Sequence, residues 1–185
     1  MTLDARSIER CASFASEPVE IGGSVRVSTR LPVLRVPYVV TERLLIAARP
    51  DGAEAIVTIP PFTTVAFRQG TDLTIGSYGA GKLVAETALF TSADAAPQPG
   101  SWGGILIGDH GSADLNRVTF EYGGMSNRPL IAFSADARRK IEIRNSHFRR
   151  KAGPAVADPV ACDKWRRADR RNLFEDRPSC VRDRR

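Results

Sequence analysis

The sequence is poor in cysteine, in aromatic residues and in long apolar runs, and each shortage narrows what the chain can be. Its three cysteines, Cys11, Cys162 and Cys180, include no pair at C-x-x-C spacing, so the common zinc and dithiol motifs are excluded. Cys162 and Cys180 are near enough in sequence to staple a loop in an oxidising compartment. An odd count leaves one thiol over, which argues against a disulfide framework. The two histidines, His110 and His147, stand far apart, and neither a metal site nor a cofactor motif is legible. No apolar run approaches the roughly 20 residues that span a bilayer, so no transmembrane segment is expected. The first ten residues, MTLDARSIER, contain no apolar core of a signal peptide. The chain is therefore either cytosolic or exported by a signal it does not carry. Tight hairpin signals are also scarce. Asp51-Gly52 is the one Asn-Gly or Asp-Gly pair between strand-like runs, which weighs against a β-sandwich.

What is present is a chain of 185 residues with 42% apolar and 26% charged residues, enough for one domain with a real core. Charge is uneven. Residues 138–185 hold 16 Lys+Arg and 7 Asp+Glu, a net of +9, against −3 for the remainder. Such a segment attracts polyanions, or is a solvated tail. Residues 3–16 have helical spacing at Ile8, Cys11, Ala12 and Ala15. After Pro18 the pattern becomes short β-type runs, most of them three to five residues long, at 24–27, 38–40, 44–47, 56–59, 63–67, 72–75, 82–85, 88–91, 104–107, 117–122, 130–133, 140–143 and 147–148. The spacers are too short for crossover helices, so a doubly wound sheet is excluded.

These runs repeat. Leu115-Asn116-Arg117-Val118-Thr119-Phe120 aligns with Ile143-Arg144-Asn145-Ser146-His147-Phe148 at an interval of 28, and more weakly with Asp169-Arg170-Arg171-Asn172-Leu173-Phe174. Val57-Thr58-Ile59 and Leu73-Thr74-Ile75 show the same alternation at a shorter interval. Periods of this length, built of short strands, suit a coil that stacks on its neighbours and buries like residues in ladders. Phe120, Phe148 and Phe174 would form one ladder. The reading is all-β: a right-handed parallel β-helix over residues 21–160, a short N-terminal capping helix within 1–20, and a basic cap or tail over 161–185.

The segments Tyr38-Val39-Val40-Thr41, Val57 to Phe67 with its Pro60-Pro61-Phe62 turn, Thr71 to Gly76, Gly81 to Glu86, Ser101-Trp102-Gly103-Gly104-Ile105 and Val118 to Gly124 resemble the coils of bacterial right-handed β-helix repeat proteins of the pectin-lyase-like fold. The resemblance covers roughly residues 38–150. It implies an exported or surface-associated protein, a scaffold role for Trp102 and its glycines, and structural Asn residues at the corners. It implies a fold rather than an activity.

For chemistry, Glu121 lies inside a strand between Phe120 and Tyr122, and alternation sends it outward. Glu142 falls in the next coil, where it is expected to stack near Glu121. Two such carboxylates could bind a cation or act as an acid/base pair, and Arg117 and Arg144 are close enough in sequence to neutralise them. Asp109-His110 lacks a companion nucleophile, Asp94 and Asp114 read as isolated loop acids, and His147 reads as a surface residue. Gly76 to Lys82 lacks the phosphate-loop pattern, because Leu83 follows the lysine, and reads as a corner turn. The threonines are too irregular for an ice-binding array. The leading expectation is a non-enzymatic scaffold or binding module for glycan or another surface polymer, with contacts from Arg138, Arg139, Lys140, Arg149, Arg150, Lys151, Arg166 and Arg167. Acidic polysaccharide or a protein is the expected partner. The alternative is a polysaccharide lyase or glycoside hydrolase using Glu121 and Glu142. Nucleic-acid binding through the tail is the weakest option, and would show a steep salt dependence.

Overall fold

A computed structural model describes residues 16–134, 136–156, 165 and 170–175, apart from the side chains of residues 127, 138 and 139. The expected N-terminal helix, all three cysteines, Arg166 and Arg167 lie outside the described residues.

The described chain is a parallel β-solenoid of about five turns. Each turn visits three faces. The first face stacks the start of β1 (Val19–Val25), the start of β3 (Tyr38–Ile46), β5 (Thr64–Phe67), β8 (Leu89–Ser92), β11 (Thr119–Glu121), β14 (His147–Arg149) and β15 (Leu173–Phe174). The second stacks the ends of β1 and β3 with β6 (Leu73–Ile75), β9 (Ile105–Ile107) and β12 (Ile131–Phe133). The third stacks β2 (Thr29–Arg30), β4 (Ala55–Ile59), β7 (Gly81–Glu86), β10 (Gly111–Asn116) and β13 (Ile141–Arg144). Every strand pairing among the described residues is parallel, which removes the sandwich alternative. Parallel strands joined by crossovers are right-handed in about 98% of cases.

Strand pairs place like residues one coil apart. Phe90, Phe120, Phe148 and Phe174 are successive register partners, and their rings follow at centroid distances of 5.3, 5.0 and 4.8 Å. The expected Phe ladder therefore exists and runs one coil further back. Leu44, Leu73, Ile105 and Ile131 form a second ladder, and Val57, Leu83, Ala113 and Ile141 a third. All twelve are buried except Phe174, which is half-buried. A single coil has no interior. The solenoid is stable because each coil covers its neighbours.

Three readings of the sequence need correction. Val57 to Ile59 and Leu73 to Ile75 belong to different faces and are not repeats of each other, because alternation alone does not say which corner a strand follows. The expected run 117–122 is broken: β10 ends at Asn116, Arg117 turns the corner with φ of 55°, and β11 starts at Thr119. Asp114 is in the strand β10, not in a loop, and is bonded by Arg144 at 2.8 Å.

The corner between the third and first faces is a row of left-handed residues: Phe62, Thr87, Arg117, Asn145 and Arg171, with φ between 50° and 64°. The amides of the first four bond the coil that follows, as in Thr87 N–H to Asn116 O at 2.9 Å and Arg117 N–H to Arg144 O at 3.0 Å. Asn145 also donates its side-chain amide to Asn116 Oδ1 at 2.7 Å, the structural role expected of corner asparagines. Asn and Gly tolerate this conformation best, whereas β-branched Thr87 is strained there.

Candidate functional site

The two carboxylates singled out in the sequence are on different faces. Glu121 is on the first, where its side chain is only 8% exposed. Arg149, its partner one coil on, donates from Nε at 2.6 Å and contacts it again through Nη2, and the Thr91 hydroxyl donates at 3.4 Å. Glu142 is on the third face, in register with Asp114, and accepts from Arg170 at 2.7 Å. They do not stack, because Glu121 ends the first strand of its coil and Glu142 lies within the third. Neutralisation holds in kind, but the partners differ from those expected: Arg117 bonds Glu86 at 2.9 Å and Arg144 bonds Asp114.

Three of the eight basic residues singled out in the sequence, Arg149, Arg150 and Lys151, are committed to this scaffold. Arg149 is spent on Glu121. Lys151 is buried and donates from Nζ to Glu175 O at 3.0 Å. Arg150 lies over the Tyr122 ring at 5.6 Å and donates to its hydroxyl at 2.8 Å. Lys140 is exposed, with Nζ 3.5 Å from Asp109 O. Arg138 and Arg139 lie in a short 3₁₀ turn at 137–140, their side chains outside the described ones. His147 faces outward and sits 2.7 Å from Glu175, and Asp109 and His110 are exposed in a turn. Among the described residues, no group of three or more His, Cys, Asp or Glu is arranged to hold a metal, and no helix is long and apolar enough to cross a membrane.

The feature that sequence reasoning missed is a groove along the second face. Its floor is the outward row Leu45, Thr74, Leu106 and Ala132, register partners on four successive coils. At about 4.8 Å per strand the row is roughly 14 Å long. One wall carries Ser77 and Tyr78; Arg43, Asp72 and Arg128 add the charged groups of the lining, and the groove encloses about 370 Å³. That is within the size range of ligand sites. Leu106 is 47% exposed and Tyr78 80% exposed. Both line the groove and face solvent.

Arg43 and Asp72 form a bidentate pair inside the groove, Nε to Oδ1 at 2.8 Å and Nη2 to Oδ2 at 3.2 Å. The Asp72 carboxylate, through these hydrogen bonds and its charge, holds the Arg43 guanidinium above its ordinary value. Asp72 is the one carboxylate of the described lining, and Thr74 Oγ1 lies 3.5 Å from it.

The loop before the floor is anchored by Trp102. Its indole is fully buried, donates from Nε1 to Glu121 O at 2.7 Å and stacks on Phe67 at 4.2 Å. Gly103 N–H then bonds Thr71 O at 2.8 Å. A side chain on Gly104, with φ of 104°, would run into Leu130 O. The scaffold role expected for Trp102 and its glycines thus has a geometric reason, which is to seat the backbone that borders the groove. The sequence signal for the groove was Leu106 itself, an apolar residue between Ile105 and Ile107 where alternation asks for a polar one.

No family model, curated protein or solved structure gives a significant match to the chain.

Proposed function

We propose that this protein is a non-enzymatic β-helix binding module, of the pectin-lyase-like type, which holds an extended glycan along the second face. The observation that carries the reading is the groove floor: four in-register residues on four coils, with an exposed aromatic ring on its wall. A solenoid face repeats its surface at a fixed interval, which suits a polymer better than a compact small molecule. Absence of turnover is proposed because Glu121 and Glu142 are held in ion pairs on two other faces and the groove's described carboxylate is bound by Arg43. Glycoside hydrolysis ordinarily takes two carboxyl groups flanking one bond, and the described lining offers a single one. An exported or surface location accords with this role and is proposed with it.

The test is a glycan array probed with the purified chain, followed by reducing-end and unsaturated-product assays on each hit. Binding without product supports the module. Product formation removed by Asp72→Asn would establish an enzyme, and the absence of any glycan ligand would refute the reading.

A further inference from the structure

We infer that the groove selects a neutral, pyranose-based polysaccharide, with Tyr78 as the residue that reads the sugar ring. The inference rests on the glycan reading above and adds the ligand's charge class and its principal contact.

The first ground is charge. Of the basic residues that would draw an acidic polymer, the described Lys140, Arg149, Arg150 and Lys151 are not in the groove lining. Arg149 ends β14 on the first face, Arg150 and Lys151 follow it, and the three bond Glu121, Tyr122 and Glu175. Within the groove Arg43 is matched by Asp72. Arg128 is left on the exposed rim. A lone exposed charge attracts an anion by only about 1 kcal/mol at contact in water, and salt screens it. The floor, in contrast, is Leu45, Leu106 and Ala132 around one hydroxyl, an apolar strip that matches the C–H face of an uncharged sugar.

The second ground is how Tyr78 is held. Its turn, residues 76–81, is stapled to the coils on both sides. Gly76 N–H bonds Ile46 O at 2.9 Å, and Ala48 N–H and Ala55 N–H both bond Ala80 O, at 2.9 and 3.1 Å. On the other side His110 N–H bonds Gly76 O at 3.1 Å and Gly81 N–H bonds His110 O at 3.1 Å. Gly76 has φ of 68°, and a Cβ there would collide with the backbone of Gly111. One on Gly79 would collide with Ala48 O, and one on Gly81 with Ile46 O. The glycines of the Gly76-Ser77-Tyr78-Gly79-Ala80-Gly81 segment therefore let three coils close on the turn. A ring that is 80% exposed stands in a turn whose two ends, Gly76 and Ala80 to Gly81, are hydrogen-bonded to the neighbouring coils. Tying down both ends of the turn lowers the backbone part of the ordering cost when the ring binds, as in preorganised aromatic anchors.

The experiment is isothermal titration of the full chain with neutral probes (cello-, xylo- and manno-oligosaccharides) and acidic probes (oligogalacturonate and oligomannuronate), at low and high salt. We expect a neutral oligosaccharide to bind with salt-independent affinity, and the acidic ones to bind at least about tenfold more weakly. Tyr78→Ala should weaken the neutral probe about tenfold, the upper end of what one ring contact supplies, and Tyr78→Phe should bind like the parent. Because Tyr78 is exposed, its removal should leave the circular dichroism unchanged. A tyrosine ultraviolet difference signal on adding the probe should vanish in Tyr78→Ala. Tighter, salt-sensitive binding of the acidic oligomers would overturn the inference, as would a Tyr78→Ala variant that binds like the parent. Failure of both probe classes would instead refute the glycan reading on which it stands.

Discussion

Replacing Phe148 by alanine should remove the central step of the Phe ladder. The ring is fully buried, between Phe120 at 5.0 Å and Phe174 at 4.8 Å, with interplanar angles of 20° and 7°. Truncating a buried Phe typically costs about 3–5 kcal/mol, from lost burial and the cavity left behind. Phe148→Leu keeps most of the apolar volume and forfeits the two ring contacts, each worth roughly 0.5–1.5 kcal/mol, so it should cost about 1–3 kcal/mol. Phe174→Ala should cost less than Phe148→Ala, because its ring is half-buried and follows a single ring in the ladder. The expected order of loss is Phe148→Ala, then Phe148→Leu and Phe174→Ala. Guanidinium unfolding followed by circular dichroism measures it. A loss under about 1 kcal/mol for Phe148→Ala, or equal losses at Phe148 and Phe174, would refute the stacked-coil argument.

Thr87→Asn should stabilise the fold by roughly 0.5–1 kcal/mol, since φ of 50° strains a β-branched residue and suits Asn; an unfolding midpoint that does not rise would count against strain at this corner. Arg149→Ala leaves the Glu121 carboxylate buried without its cation and should cost about 3–5 kcal/mol, whereas Arg149→Ala with Glu121→Gln should recover part of that loss. A double-mutant cycle with no coupling would show the pair to be incidental. Burial pushes the Tyr38 phenol up to about 12 from an ordinary value near 10. A raised value favours the neutral form in the folded state, so this stabilisation is complete below about pH 10 and is lost as pH rises toward about 12. Ultraviolet phenolate titration should find one late tyrosine that Tyr38→Phe removes, and no such late titration would contradict the burial argument.

Much of the coil architecture was legible because ladders write themselves into the sequence. The 28-residue offset between Phe120 and Phe148 is a register pairing. The strand β10 was not legible, since Gly111-Ser112-Ala113-Asp114-Leu115-Asn116 places small and polar residues outward and only Ala113 and Leu115 toward the core, which reads as a loop. Arg117 hid a corner because nothing in an arginine announces a left-handed backbone. The same limit governed the site. Outward alternation correctly directed Glu121 away from the core, but which face it occupies depends on where the corners fall, and so its distance from Glu142 could not be read. The groove was harder still. It joins Arg43, Tyr78, Leu106 and Arg128 from separate coils, and no local pattern links them.

The most direct test of the account is to obstruct the groove floor and compare the result with loss of the basic residues. Leu106→Arg places a long cation on an outward position, in the middle of the row formed by Thr74 and Ala132. Arg150→Ala removes a cation outside the groove. Both variants and the parent would be assayed on one glycan array. The account predicts that Leu106→Arg abolishes binding while Arg150→Ala retains it. Retained binding by Leu106→Arg, with loss in Arg150→Ala, would contradict it and move the site to the basic end of the solenoid.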